Sequence, residues 1–338
     1  LKRDGESGVS TMTMAVIDPG LMAGAVESAC RAPSVHNSQP WRWVAEGAEL
    51  RLFFDPHRVP HATDLTGREA AISCGSVLDH LRVTVAAAGW QARVARFPNP
   101  NDLDHLATIS FSPLPFVTEA VRARADAIGR RYTARGPFDA PSAFAAFEPV
   151  LRSTIDTDKA TLHVLDESVR PQLADASRLT EALRRYDASY HAELDWWTAP
   201  SEASDGIPYR NLVSASDRGP VDIGRMFPTG DLGRQRPEGR RDRSVVMVLC
   251  TETDSRRDAL ACGEVLSDVL LEATLAGLAT CTLSHMTELD DSRNIIRKLC
   301  GNSGNPQLLI RIGQLPAHSP QPPATPRRAM AEVLELRP

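Results

Sequence analysis

The chain has 338 residues, of which 42% are hydrophobic and 24% charged, with a net charge of −5. Those are the values of a globular protein of one large or two medium domains, and the acidic balance argues against a nucleic-acid or anionic-membrane surface. No apolar run approaches the roughly 20 residues of a spanning helix, and the six cysteines are scattered without a C-x-x-C pair, which predicts reduced, buried thiols in a soluble cytoplasmic protein.

In chain order, residues 1–14 lack the apolar core of a signal peptide and read as a disordered leader. "LMAGAVESACR" reads as an apolar-faced helix, and "RLFF" (51–54) as a strand. Between them, "RAPSVHNSQPWRW" (31–43) holds far more hydrogen-bonding and stacking side chains than a simple turn needs. Asn and Gln amides both donate and accept, and a Ser hydroxyl adapts its direction, so this connection suits a flat polar guest. Trp41 and Trp43 read as core. "HRVPH" has helical ligand spacing at His57 and His61, but Pro60 breaks the helix a metal site would need. "DLTGRE" (64–69) reads as the cap and first turn of the next helix.

Two long helices then read alike. "SCGSVLDHLRVTVAAAGW" from Ser73 matches "ACGEVLSDVLLEATLAGL" from Ala261 at Cys, Gly, Val-Leu and Ala-Gly, all at one offset (262 − 74 = 188). Each ends at a glycine suited to a left-handed cap and is followed by strand material. That material is "QARVARF" and "HLATISF" in one half, "ATCTL" and "QLLIRIG" in the other. Two Ala- and Leu-rich helices can match through propensity alone. The repeated order of elements instead predicts a duplicated α+β unit of roughly 150 residues.

The middle of the chain differs. "RLTEALRRYDASYHAELDWW" reads as a helix, and from 198 to 243 the chain is rich in Gly, Pro, Ser and Asp without a period. A connection that long reads as a lid, a binding loop or a disordered segment, and a lid at 198–243 is the expectation. Its basic run "GRQRPEGRRDR" is interrupted by acids and lacks aromatics, so it reads as solvated loop. "SVVMVLCT" is a buried strand.

"APSVHNSQPW" (32–41) resembles the A-P-S-x-x-N-x-Q-P-W signature of the nitroreductase superfamily of FMN enzymes. The resemblance implies that Pro33, Ser34, Val35 and Asn37 touch the flavin, with Gln39 supporting the turn. "RRYTARGPF" (130–138) resembles that family's R-x-S/T-x-R/K-x-F segment, which implies phosphate contacts from Arg131, Thr133 and Arg135. "TPRRAM" (325–330) resembles its basic C-terminal closure, implying Arg327 and Arg328. Where the family carries P-x-E-G over the flavin, this chain has Cys281, Thr282, Leu283 and Ser284. The carboxylate is therefore missing, and Cys281 reads as a packed thiol with nothing nearby in sequence to activate it.

The resemblance covers nearly the whole chain and is strongest to the long, actinobacterial Acg-type branch. It implies an α+β, nitroreductase-like fold with two fused copies mimicking the usual homodimer: a first half at 15–125 and a second at 126–338. Each half keeps the motif the other lacks, which implies one FMN per chain and a monomer. NAD(P)H and a nitro, quinone or similar acceptor are the implied small-molecule partners, with no metal and no catalytic acid–base residue. The competing reading is a non-enzymatic FMN storage or sequestration protein whose site the lid closes. A purely structural interaction protein would leave the three motifs unexplained.

Overall fold

The structure is a computed structural model that describes residues 17–198, 205–208, 211–212, 221–227, 241–317, 319, 322 and 324–337. The expected leader at 1–14 lies outside these residues, as does most of the expected lid.

Helix α1 (Pro19–Ala29) starts where Asp18 accepts the Leu21 N–H at 3.0 Å and Pro19 occupies the first turn. Strands β1 (Trp41–Glu46) and β2 (Glu49–Phe54) form a hairpin over Gly47 and Ala48, with Gly47 at φ +59°. β1 was hidden in the sequence inside the polar turn, and both its tryptophans are fully buried core, as expected of them. Helix α2 (Arg68–Ala87), β3 (Trp90–Arg96) and β4 (His105–Pro113) come next. Helix α3 (Glu119–Arg130) follows and packs Ala127 and Ile128 against Val83 and Leu271. The expected boundary at 125/126 falls inside α3.

Then come α4 (Phe144–Thr154), β5 (Thr161–Leu165), α5 (Arg170–Arg184) and α6 (Ala188–Trp197). After the long connection follow β6 (Val245–Thr251), α7 (Arg256–Leu275), β7 (Ala279–Leu283), α8 (Asp290–Leu299) and β8 (Asn305–Gly313). A short helix α9 (Met330–Val333) and strand β9 (Leu334–Arg337) come last. Among the described residues no helix is long and apolar enough to cross a membrane.

The strands make two sheets, ordered β3-β4-β2-β1-β9 and β5-β6-β8-β7. Read from the opposite edge, the second is β7-β8-β6-β5, the order of the first without β9. Every pairing is antiparallel except β1–β9, which is parallel. The two sheets differ in two connections. The link from β7 to β8 carries α8, where residues 97–104 join β3 to β4 without a helix. Gly47 and Ala48 link β1 to β2, whereas residues 166–244 link β5 to β6.

Helices α2 and α7 cross through two glycines. A Cβ on Gly75 would stand 1.9 Å from the Leu260 carbonyl oxygen, and one on Gly263 would stand 1.9 Å from that of Ile72. The contact is self-complementary, because 263 − 75 and 260 − 72 are both 188. Ser76 adds a hydrogen bond to the Gly263 carbonyl at 2.9 Å. The main apolar core wraps this crossing and draws on both sheets, with Leu50, Leu52 and Trp43 from one and Leu249, Ile310 and Ile312 from the other.

Candidate functional site

The turn after α1 is held in an uncommon backbone. His36, Asn37 and Gln39 have φ of +49°, +58° and +51°, a left-handed region that costs most side chains energy. Side chains hold it there. Ser73 Oγ accepts the Val35 N–H and Ser34 Oγ accepts the Gln39 N–H, both at 3.1 Å. Asn37 Nδ2 donates to the carbonyls of Gly206 (2.9 Å) and Pro326 (3.1 Å). Gln39 Nε2 donates to the Asn37 carbonyl at 3.3 Å, and its Oε1 accepts the Arg328 N–H at 3.0 Å.

Opposite the turn runs the extended segment after α3. The Ala134 N–H donates to the Thr280 carbonyl at 2.9 Å, and Thr133 bridges Thr280 in parallel register. Residues two apart on an extended chain share a face. The R-x-T-x-R spacing therefore points Arg131, Thr133 and Arg135 together while Ala134 enters the core behind β7.

Between turn and segment lies a cavity of about 360 Å³. Pro33, Ser34, Val35, Thr133, Arg135, Cys281, Thr282, Leu283 and Ser284 all line it. A narrower annex of about 90 Å³ is lined by Asn37, Arg131 and Arg327 and shares Pro33, Ser34, His36, Thr133 and Arg135 with the wide cavity. Two expected site residues line neither. Gln39 braces the turn, as expected, and Arg328 lies beside it, 3.5 Å from Glu332 and 4.0 Å from Asp55. Asn37 reaches only the annex, with its amide donors committed to protein carbonyls.

The annex is electrically unusual. Arg31, Arg131, Arg135 and Arg327 gather around Thr133, and among the described residues no carboxylate lies within ion-pair distance of any of them. Burial, then Arg31, pushes the Arg131 guanidinium down to about 10. Burial, then Arg131 and Arg31, pushes Arg327 down to about 9. Burial likewise lowers Arg135. Nε of Arg31 and of Arg131 are buried without a hydrogen-bond partner. Buried charge left uncompensated is costly, so the annex is built for an anion.

The wide cavity has a different character. Cys281 and Leu283 are buried on its wall, with no carboxylate at the Leu283 position. Its far end is polar: Arg225 pairs with Glu288 and donates to Ser284 Oγ (3.1 Å) and the Tyr190 hydroxyl (2.9 Å). Burial, Arg225 and Arg135 hold His36 well below the usual histidine range, and burial and Arg225 do so for His285. Both are neutral. Glu69, in the first turn of α2, also lines the wall.

Sequence reading missed Arg31, Glu69, Arg225 and His285 as lining residues. Only Arg31, at the edge of the motif turn, carried a local signal.

Described pieces of the central connection lie on the cavity. Ile207 and residues 221–227 contribute to its wall, except Ile223, which is core. Phe227 sits edge-on to His36 (5.9 Å) and beneath the Arg135 guanidinium (5.6 Å). Asp205 pairs with Arg58 at 2.5 Å, and the Ile207 N–H donates to the Trp197 carbonyl at 2.7 Å.

No family model matches the chain. It is 53% identical over 325 residues to "Putative NAD(P)H nitroreductase acg" of Mycobacterium tuberculosis, across 96% of this chain and 98% of that one. It is 52% identical over 321 residues to an uncharacterized protein of the same organism, across 94% and 93% of the two chains. A second protein there named a putative NAD(P)H nitroreductase is 35% identical over 311 residues, across 91% and 89%. With that identity over nearly its full length, the chain belongs to the nitroreductase superfamily, in its Acg-type branch.

Proposed function

We propose that the chain binds FMN and acts as a nitroreductase-type oxidoreductase, taking hydride from NAD(P)H and reducing a nitro, quinone or similar small acceptor. The observation that carries this reading is the annex: four arginines without a carboxylate among the described residues, opening into a cavity wide enough for a fused ring. A phosphate monoester supplies the missing negative charge, and Arg131, Thr133, Arg135 and Arg327 are the residues that would hold it. Pro33, Ser34 and Val35 on one side and Cys281–Ser284 on the other would hold the ring. Bound there, FMN supplies the two-electron chemistry, and the protein's share is binding, orientation and exclusion of water. No general acid–base triad is needed for that share.

Each charge-assisted bond to the phosphate is worth roughly 1.5–3 kcal/mol. Arg131→Ala combined with Arg135→Ala should therefore weaken FMN binding at least a hundredfold while the far-ultraviolet dichroism stays unchanged. Undiminished FMN retention in that folded variant overturns the reading.

The reading extends to architecture and setting. One chain serves as two fused nitroreductase halves, a monomer with one FMN, working in the cytoplasm. The matching sheet orders and the reciprocal Gly75–Gly263 contact support the fusion.

A second reading, FMN storage or sequestration, is favoured by one observation. Ile207 and the 221–227 segment already lie on the cavity where a nicotinamide would have to approach. Hydride transfer needs donor and acceptor about 3–3.5 Å apart, so a cover there suppresses turnover. Sequestration predicts slow reduction by NADH and NADPH but normal reduction by dithionite. Replacing residues 202–237 with a short Gly/Ser linker should then raise the NAD(P)H rate at least tenfold. Fast turnover in the intact protein, unchanged by that replacement, removes the cover and leaves an open nitroreductase.

A further inference from the structure

We propose that Glu69 stands in the wide cavity as a neutral carboxylic acid, and that its O–H donates a hydrogen bond to an acceptor atom of the flavin ring. This rests on the FMN reading above and adds a residue that neither the motifs nor the fold assigns to the ring.

Placement comes first. Glu69 is 4% exposed, lines the cavity one turn before Ile72 and Ser73, and both its carboxyl oxygens lack a hydrogen-bond partner. A buried carboxylate with no donor is among the least tolerable groups in a protein, whereas a carboxylic acid needs only one acceptor for its proton.

The groups around it explain why the proton stays. Arg68 approaches to 3.5 Å, but its donors are committed elsewhere. One terminal nitrogen serves Gln307 at 2.6 and 3.0 Å, and the other serves Thr287 at 3.0 and 3.3 Å. The positive end of α2 is also taken, because Asp64 accepts the Ala70 N–H at 2.8 Å. Arg225, from the central segment, is engaged by Glu288 from the loop after β7. His36 and His285 are neutral, and Arg135 belongs to the annex end.

Glu69 therefore faces two carboxylates, of which Asp64 holds the helix-end donor and Glu288 holds Arg225. Of the neighbouring acids Asp64 and Glu69, Asp64 holds backbone N–H groups and Glu69 none, so the proton settles on Glu69. Burial, then Glu288 and Asp64, pushes the Glu69 carboxyl up to about 8. At pH 7 that leaves the acid form dominant by about ten to one.

The chemistry matches the proposed guest. An isoalloxazine presents carbonyl oxygens and ring nitrogens as acceptors, which a protonated carboxyl can serve. An ionised Glu69 would instead turn negative charge on the same atoms. Affinity for the ring should fall as pH rises through the Glu69 pKa.

The test titrates FMN fluorescence against the full-length apoprotein between about pH 6 and 9.5. Wild type should hold a constant Kd near neutrality, then weaken about tenfold per pH unit well above pH 8. Glu69→Gln, which keeps a donor and cannot ionise, should lose that break. The annex arginines are common to both proteins and cancel in the ratio of their Kd values. Glu288→Gln frees Arg225 and should move the wild-type break down by at least one pH unit. Infrared difference spectra of apoprotein, wild type minus Glu69→Gln, give a readout independent of flavin: a carboxylic-acid C=O band at pH 7, lost at pH 9.5, from which the raised Asp268 and Asp79 carboxyls cancel. Identical pH profiles in wild type and Glu69→Gln, an unmoved break in Glu288→Gln, or no such band at pH 7 overturns the proposal. Failure of every variant to bind FMN at any pH overturns the FMN reading itself, whatever the infrared band shows.

Discussion

Two corners flank the α2–α7 crossing, and they meet opposite fates. After α7, residues Cys281–Ser284 face an open cavity. The corresponding residues after α2, 188 positions earlier, are Arg93–Arg96. Where one corner has Ser284, the other has Arg96, whose guanidinium grips Glu264 through two bonds of 2.6 Å. Lys159 adds a third at 2.9 Å. Where one corner has Glu69 without a hydrogen-bond partner, the other has Arg257 stacked on Phe97 at 5.2 Å. The strand order is the same at both. What separates the two corners is therefore charge pairing: one sets Arg96 and Lys159 against the buried Glu264, and the other leaves both Glu69 oxygens without a hydrogen bond.

The largest expected effect attacks what both corners share. Gly75→Val places a side chain where even a Cβ would be 1.9 Å from backbone, and helix backbones cannot yield that far. It should destabilise the chain by more than about 3 kcal/mol and force the two helices apart, read by thermal melting and soluble yield. A melting point within a degree of wild type would mean that the crossing tolerates wider spacing.

Next comes the filled corner. Arg96→Ala leaves Glu264, fully buried, with less compensation, at an expected cost of about 3 kcal/mol. Its pH dependence has a definite sign. Burial raises the Glu264 carboxyl, but the Arg96 bonds and Lys159 more than offset this and hold it below 4.5. The stabilisation is therefore present above that value and lost as pH falls through the folded pKa. Arg96→Ala should flatten the acid limb of the stability curve without touching FMN affinity. An unchanged acid limb would mean that the pair does not cement this corner.

The comparison also fixes a count. With one corner filled, FMN released per chain should be one, and a ratio near two would show that the Arg96–Glu264 corner opens to ligand. The smallest effect separates two adjacent arginines. Arg327 lines the annex, whereas Arg328 donates to the Gln39 and Trp41 carbonyls outside it, both at 3.4 Å. Arg327→Ala should weaken FMN binding about tenfold, and Arg328→Ala less than about threefold. Equal losses would place the phosphate nearer the turn.

Much of the site could be read from sequence because its pieces are local. The R-x-T-x-R spacing carries its own geometry on an extended chain, and the two long helices advertise themselves by repetition. Glu69 could not be read that way. In "DLTGRE" it looks like a helix start, and its meaning depends on Glu288, Arg225 and Gln307, all more than 150 residues away. Arg328 misled for the opposite reason: two adjacent arginines look equivalent in sequence, yet opposite side-chain directions send one to the annex and the other to a strand end. β1 was masked because its tryptophans sit among polar turn residues, and β9 because four residues carry little pattern.

That last strand governs the order of assembly. β1 is made early, but the partner for its outer edge is β9, with Trp43 opposite Leu334. While the ribosome adds the roughly 290 residues between them, that edge presents unpaired N–H and C=O groups, the usual invitation to aggregation. Arg327 arrives with the same stretch of chain, so the annex acquires its last cation as the sheet gains its last strand. A nascent chain stalled before residue 327 would carry an unpaired edge and an annex short of one arginine together. Protection of the sheet edge and the charge of the annex are thereby tied to the same few residues.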